Sequence, residues 1–524
     1  MMSIGTTLSR ITGYLRLTAQ AAALGFTALS NTYAAANTTP NIVYELVLGG
    51  ILTSVFVPVF VEWLQQHGRE EARLVADRVM TLALVVLAAV AILGAIFAPQ
   101  IIELYLSASD APNKAAQIEL GAFFLRWFMP QIVFYGVGAV ATGLLQAERR
   151  FAPPMFAPIL NNLSVIATFG IFALLAKDGP VSVENITFAE KTVLAAGTTF
   201  GVAAMTLALW PSLRGMGYRW HLRFDWNHPA VRRLGKLALW VVVYVVANQL
   251  AYIAVIVFTG TKPDGYVIYA SAFILFQLPH AIVAVSIFTA LLPPMSGRWA
   301  DRDLDGLRTL FSRGVRDTVV VMVPAALGYI ALAVPIVSLL LQHGRATAED
   351  TEAIAHTLQA FAVGLPFFSG FQLLTRTFYA MQDTRTPALV NVGAAIVNVG
   401  ANFLYLSFDW GLAGLALGHA TSYVFAMTVS LVLLRRRLDG IDGRRILTTL
   451  VRVIPASVVA AGAAFLVSRG IQDAFGAGAG TLGRLAEVSG GVIVGLLVFA
   501  ASTLIVKIDE AEEVKDAVLR RFRR

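Results

Sequence analysis

The sequence predicts an all-α polytopic membrane protein of about fourteen transmembrane helices. Two parallel-repeat six-helix lobes are expected around a central cavity, with two further helices toward the C-terminal end. Three observations carry that prediction. The chain of 524 residues is 57% hydrophobic and only 14% charged, where a soluble domain carries about 25% charged residues. Apolar runs of 18 residues or more recur along nearly its whole length, the length a helix needs to cross a bilayer. A set of motifs also returns after 236 residues.

Reading apolar runs between polar breaks places spans at 6–27, 31–64, 79–106, 119–145, 153–176, 188–213, 234–259, 266–295, 315–342, 354–381, 387–406, 411–434, 450–468 and 486–506. The first run lacks a small-residue cleavage site and is read as an uncleaved span. Pro40 is expected to break the second span, and Pro130, Pro279 and Pro366 to interrupt others. Freed backbone groups at such breaks are tolerated where they face protein or a wet cavity.

The loops alternate in charge. Twenty-nine of the 40 Lys and Arg fall in one alternate set, which includes "HGREEARLVADR", "RGMGYRWHLRFDWNHPAVRRLGK", "RRRLDGIDGRRILTTLVR" and the final "KIDEAEEVKDAVLRRFRR". The other set, which includes "KDGPVSVENITFAEK" and "LQHGRATAEDTE", holds seven. The positive-inside rule puts the first set and both termini in the cytoplasm. The formal net charge of +8 is therefore topological, and nucleic acid is excluded as a partner. With no cysteine, disulfides, thiolate chemistry and cysteine metal sites are excluded.

The repeat matches Pro58 to Pro294, Trp63 to Trp299 and Gln146 to Gln382 at one offset of 236, with an Arg-x4-Arg pair following in each half, Arg73/Arg78 and Arg308/Arg313. Every motif sits at the cytoplasmic end of its span, so the repeat is parallel. The expected organisation is an N-lobe at 1–213, a cytoplasmic linker at 214–233, a C-lobe at 234–434, and a last helix pair with a basic tail at 435–524. Two such bundles are a transporter plan, one half rocking against the other around a central site.

Four arginines lie inside spans: Arg10, Arg16, Arg126 and Arg376. Arg10 and Arg376 lie near cytoplasmic ends and can snorkel. A buried arginine costs about 2.5–3.5 kcal/mol at a helix centre on insertion scales, so Arg16 needs water, a partner or an anionic ligand. Its planar fork suits a pyrophosphate, donating paired hydrogen bonds to phosphate oxygens. Arg10 and Arg16 stand about 120° apart around the helix and could converge only on a wide cavity. Asn31, Asn37 and Asn41 along the next helix are expected sugar or peptide contacts. Asn161, Asn162, Asn391, Asn398 and Asn402 read as interhelical hydrogen-bond partners.

"SRITGYLR", "PNIVYELVLGGILTSVFVPVF", "RFAPPMFAPILNN" and "FYAMQDTRTP" resemble the MurJ (MviN) family of lipid II flippases. That family belongs to the larger multidrug, oligosaccharidyl-lipid and polysaccharide exporter superfamily. The resemblance covers essentially the whole chain. It implies a fourteen-helix, V-shaped protein whose last two helices border a groove for a polyprenyl tail. The implied substrate is undecaprenyl-pyrophosphate carrying the peptidoglycan building block, moved from the cytoplasmic to the outer leaflet by alternating access. The implied partners are that lipid or a related polyprenyl-pyrophosphate lipid, the membrane lipids, and cell-wall synthesis proteins. Arg10 and Arg16 sit where members carry first-helix arginines, and Arg126 where others carry a basic residue in helix 4. The helix-2 arginine of better-known members is replaced by Tyr44, followed by Glu45, and the helix-8 arginine by Ile274, so the family's cationic set is kept only in part.

No catalytic constellation is present. The sequence has no Walker A motif, His280 stands alone, and acidic residues are almost absent from the spans except near their ends, Glu45 being the exception. No cofactor is expected, with coupling to the membrane potential or to a monovalent ion. The rival readings are a flippase for another polyprenyl-linked saccharide, a multidrug exporter, and a polyprenyl-phosphate-using membrane enzyme. The positive cavity argues against the exporter, and the lack of a carboxylate-rich site argues against the enzyme. Glu45 lies within about 6 Å of the depth of Arg16 on the adjacent helix, from the rise per residue in a core about 30 Å thick. The expectation is that the two pair when the site is empty and that phosphate displaces the carboxylate.

Overall fold

A computed structural model describes residues 2–45, 57–148, 150–176, 179–225, 227–262, 264–475 and 480–506. Helices joined by turns and loops make up these residues, with no strand among them. In chain order the helices are α1 (Met2–Leu24), α2 (Ala28–Tyr44), α3 (Val57–Ile96), α4 (Ala98–Tyr105), α5 (Lys114–Phe128), α6 (Gln131–Ala147), α7 (Ala152–Leu175), α8 (Phe188–Leu207) and α9 (Trp210–Arg214). They continue with α10 (Pro229–Thr259), α11 (Gly265–Pro279), α12 (Val285–Ala300), α13 (Leu304–Leu341), α14 (Ala348–Ala380), α15 (Arg385–Leu406), α16 (Gly411–Arg437), α17 (Gly443–Phe475) and α18 (Thr481–Ile505). Each expected span falls on a helix or on consecutive helices, and the middle of the second, at 46–56, lies outside the described residues. Among the described residues, eleven stretches are long and apolar enough to cross a membrane. The chain is thus a multi-pass membrane protein. Leu482, Leu496, Leu497 and Ile505 stand exposed along α18, as a lipid-facing helix requires.

Local chemistry sets the helix ends. α1 stops at Gly25, whose φ of +65° suits glycine. Thr27 then caps α2, accepting a hydrogen bond from the Ser30 amide. Thr187 and Glu190 form a reciprocal capping box at the start of α8. Pro130 separates α5 from α6, and Pro279 precedes a π-helical turn at His280–Ala284. The expectation for two other prolines is corrected: Pro40 lies inside α2 and Pro366 inside α14, neither ending its helix. A proline removes one backbone bond, and both helices continue past it.

The chain forms two compact units. Unit 1 comprises 1–267 with 343–347, and unit 2 comprises 268–342 with 348–524. The division falls one helix later than the 214–233 linker read from the sequence. The reason is visible at α2: the Asn31 side chain accepts a hydrogen bond from the Val267 amide at 3.1 Å, and Thr38 hydrogen-bonds the Tyr266 hydroxyl. Phe124, Phe128, Phe169 and Phe172 fill the core of unit 1; Phe276, Phe311, Phe361 and Phe378 fill that of unit 2.

Within each unit the loops gather as their charges foretell. In unit 1, Arg69 reaches Glu148 at 3.4 Å and Arg73 donates to the Met216 carbonyl at 2.6 Å, bringing together three loops of the basic set. At the opposite end of α7, Arg345 donates to the carbonyls of Ala176 and Gly179, joining two loops of the other set. In unit 2, Arg308 binds the Leu438 and Asp439 carbonyls and Arg437 pairs with Asp383, all from the basic set.

Candidate functional site

The candidate site lies inside unit 1, on α1. This helix packs along α7, where the Asn162 side-chain amide donates to the Ser9 carbonyl at 3.1 Å and the Thr12 hydroxyl at 3.0 Å. Asn162 is therefore an interhelical partner, as the sequence suggested. Arg16 follows Thr12 by one turn and Ser9 by two, so it shares their inward face. Its side chain is half-buried, and its charge reaches Tyr33 of α2 and Tyr135 of α6. Among the described residues Arg16 has no hydrogen bond and no ion pair.

The walls around it are aromatic. Tyr33 is wedged edge-on between Phe124, Phe128 and Phe169, with ring centroids 5.6–5.7 Å away, and its hydroxyl bonds Thr198 at 2.7 Å. The Tyr135 hydroxyl donates to Asn41 at 3.1 Å, and the Tyr44 ring lies 4.4 Å from the Tyr135 ring. Tyr33 and Tyr135 are both fixed by uncharged partners, Thr198 and Asn41. Tyr33 and Tyr135 were not singled out from the sequence. The signal available was a tyrosine inside an otherwise apolar run, which a membrane core permits only where its hydroxyl finds a partner.

The other expected contacts divide. Arg10 is exposed near the start of α1, on a different face from Arg16, as the helical phase requires. Arg126 is exposed on α5, about 160° around that helix from Phe124 and Phe128. Those two rings contact Tyr33, so Arg126 faces away from the Arg16 site rather than into it. Asn31 is 2% exposed and held by Val267, and Asn41 is committed to Tyr135 and to the Asn37 carbonyl at 2.8 Å. Neither has its oxygen open to a ligand in this arrangement. The Asn37 side-chain oxygen, by contrast, is buried without a partner. Ile274, where the family's helix-8 arginine would stand, is an exposed position of α11. Glu45 is exposed at the end of α2, and no ion pair joins it to Arg16. Equal depth did not bring them together, because depth fixes position along a helix and leaves rotation about its axis free.

A solved structure titled "Lipid II flippase MurJ, inward closed conformation" is 20% identical, covers 97% of this chain and 99% of its own, and superposes with a TM-score of 0.78. An inward-facing multidrug transporter of the MATE family, 14% identical and covering 81% of this chain and 94% of its own, gives 0.66. These likenesses establish the fold. The family model described as "Lipid II flippase MurJ" matches residues 20–482. The chain belongs to the MurJ family. A relative from Rhizobium meliloti (strain 1021), named a probable lipid II flippase MurJ, is 28% identical over 472 residues, covering 88% of this chain and 85% of its own. Arg10 and Arg16 precede the matched segment, so the match does not depend on them.

Proposed function

We propose that this member of the MurJ family moves lipid II from the cytoplasmic to the outer leaflet by alternating access, with no covalent step, and that Arg16 receives the pyrophosphate. The observation that carries the site is a guanidinium that has no hydrogen bond and no ion pair among the described residues. A charge half-buried in a transmembrane bundle is costly, and no carboxylate among the described residues offsets it. A pyrophosphate would do so, taking two parallel hydrogen bonds from the fork. Arg10 adds positive field nearer the cytoplasmic end, and the Asn37 side-chain oxygen, buried without a partner, is an acceptor that the sugar or peptide would reach only if the site opens. Arg126, turned to the far face of α5, has no part in this contact. Both termini lie in the cytoplasm on this reading. An inside-negative potential then favours outward movement of the anionic lipid by about 2.3 kcal/mol per charge per 100 mV.

The family match favours this lipid over another polyprenyl-linked saccharide, and the unpaired cation favours an anionic cargo over the cationic drugs of the rival exporter reading. The test is replacement of the native gene by Arg16→Ala, with membrane insertion checked separately. Growth is expected to fail while lipid II accumulates on the cytoplasmic side, and Arg16→Lys is expected to rescue poorly, a point charge lacking the fork. Normal growth of Arg16→Ala would remove Arg16 from the mechanism. Orientation is checked at the two ends of α15: an impermeant thiol reagent added outside should label Ser407→Cys and spare Thr384→Cys.

A further inference from the structure

Glu45 stands exposed at the end of α2 with no ion pair to Arg16, so the group that holds the guanidinium in the lipid-free protein must be another. A candidate lies on α2 one turn beyond Tyr33. The Asn37 side-chain oxygen is buried without a partner. A guanidinium is all donors, and an amide oxygen is an acceptor. Unit 1 therefore keeps an unused donor and an unused acceptor on the two helices that open the chain.

Three observations bring them to one place. First, the Gln20 side-chain amide, one turn after Arg16, donates to the Ser30 hydroxyl at 3.4 Å, which sets the level of α1 against α2 as the chain turns back at Gly25–Thr27. From that contact Arg16 lies about 6 Å along α1 and Asn37 about 10 Å along α2, at 1.5 Å per residue. Second, each side chain leans toward the N-terminus of its own helix. On helices that run in opposite directions the two leans oppose, so Arg16 tilts toward the level of Asn37 and Asn37 back toward that of Arg16. Third, the Arg16 charge reaches both Tyr33 and Tyr135. Tyr33 precedes Asn37 by one turn of α2, and Tyr135 is bonded to Asn41, one turn after it. Of these three α2 side chains, Tyr33 is committed to Thr198 and the Asn41 oxygen to Tyr135. The Asn37 oxygen alone among them is free to accept.

We propose that Asn37 is the resting partner of Arg16: rotation of the two side chains lets the amide oxygen accept from the guanidinium in the lipid-free protein, and the pyrophosphate takes its place. The proposal rests on the reading of Arg16 given above. A neutral amide suits the role. It offsets part of the cost of a buried cation, whereas a carboxylate would have to be left as an uncompensated buried charge when the lipid arrived. The phosphate offers two parallel hydrogen bonds and a charge against one bond from the amide, so the exchange runs toward the lipid.

The test turns on the sign of a stability change in the lipid-free protein. Asn37→Asp should raise the Tm in detergent, because a carboxylate beside Arg16 completes an ion pair. It should lower the Tm once Arg16→Ala has removed the cation, because the same carboxylate is then buried alone. A change of the same sign in both backgrounds overturns the pairing. Should the variant with both changes fail to insert, Asn37→Ala and Arg16→Ala are combined instead. A joint loss of Tm smaller than the sum of the two keeps the pair, and an additive loss overturns it. Displacement is read with undecaprenyl pyrophosphate, which carries the phosphates but neither sugar nor peptide. Asn37→Asp should bind it about tenfold more weakly than the parent, and Asn37→Ala at least as tightly as the parent, the difference being a charged hydrogen bond that the phosphate must break. Equal affinity of Asn37→Asp and the parent overturns the exchange. A reversed sign of the Tm change in a protein that binds no pyrophosphate would keep the pair and remove the function on which it rests.

Discussion

The two halves of the chain share a scaffold and differ in what it carries. At the offset of 236, Asn162 of α7 corresponds to Asn398 of α15, and Tyr33 of α2 to Tyr269 of α11. Both tyrosines are buried in aromatic clusters, Tyr33 among three phenylalanines and Tyr269 against Phe361 at 5.0 Å. The asparagines diverge. Asn162 reaches across to α1 and fixes the helix that bears Arg16, whereas Asn398 accepts a hydrogen bond from Asn402 of its own helix at 3.2 Å. The position matching Arg16 is Tyr252, whose hydroxyl bonds that of Tyr266 at 2.9 Å. Duplication has kept the packing plan, while the arginine at position 16 has a tyrosine, Tyr252, as its counterpart.

The ends that carry the basic loops tell a similar story. Arg73 and Arg308, one offset residue apart from the main repeat, each grip a backbone carbonyl just beyond the last helix of their half, Met216 and Leu438. Four residues on, the partners exchange character. In unit 1 the buried Asp77 accepts from the Tyr218 hydroxyl at 2.7 Å, with His221 and Arg223 at 3.6 and 3.9 Å. In unit 2 Ser312 donates to Asp442 at 2.9 Å. Burial first, and then the Asp77 carboxylate, push the Tyr218 hydroxyl far above its ordinary pKa, so it remains a donor throughout the working range. The first clamp holds its carboxylate on the inside, and the second holds it at the edge.

This contrast can be broken at several strengths. The largest effect is expected at the asparagines. Asn162→Ala frees the inner face of α1 and should slow lipid II translocation about tenfold, a loss of roughly one to two hydrogen bonds to a helix that must hold a charge in place. Asn398→Ala should leave the rate within about twofold, and an equal loss at both sites would show that the asparagines serve packing alone. A smaller effect is expected at the clamps. Asp77→Ala strands a buried phenol and should cost about 1–3 kcal/mol, against about 0.5–1.5 kcal/mol for Ser312→Ala, read as the fall in Tm in one detergent. The reverse order would contradict the assignment of the inner carboxylate to unit 1.

The smallest effect is in the pH dependence. Burial raises the pKa of Asp383, but Thr386 and Arg437 outweigh it and hold the carboxyl below its ordinary value. A depressed folded-state pKa contributes stability above the unfolded value, lost as pH falls through the folded one. Below about pH 4 the parent should therefore lose slightly more stability than Asp383→Asn. Parallel acid curves for the two would leave no role for the Arg437 contact.

Much of the architecture was legible because it follows from solvent and charge. The bilayer dictates the apolar runs, and their positions match the helices; the loop arginines sort into ends that the structure brings together at Arg69, Arg73, Arg308 and Arg345. What was hidden depends on rotation about helix axes and on contacts between distant segments. Arg126 and Arg16 both read as intramembrane cations, yet they face opposite sides of the Tyr33 cluster. Glu45, expected at the depth of Arg16, is exposed at the end of α2 and makes no ion pair with it. Asn31 looked open to a ligand until the Val267 amide, 236 residues away, was seen to occupy it. The boundary expected at 214–233 moved for the same reason, since Tyr266 and Val267 are tied to α2.

The most direct measurement is translocation by the purified protein in vesicles that contain lipid II and no other protein. The fraction of lipid II reached by an impermeant probe on the opposite leaflet is followed with time, for the parent, Arg16→Lys and Arg16→Ala inserted in equal amounts. The expected result is rapid exchange by the parent, a rate reduced about tenfold or more by Arg16→Lys, and no exchange above empty vesicles for Arg16→Ala, since a phosphate contact through a partly buried arginine contributes about 2–5 kcal/mol. Exchange by Arg16→Ala at the parent's rate would contradict the central claim that this unpaired guanidinium receives the pyrophosphate.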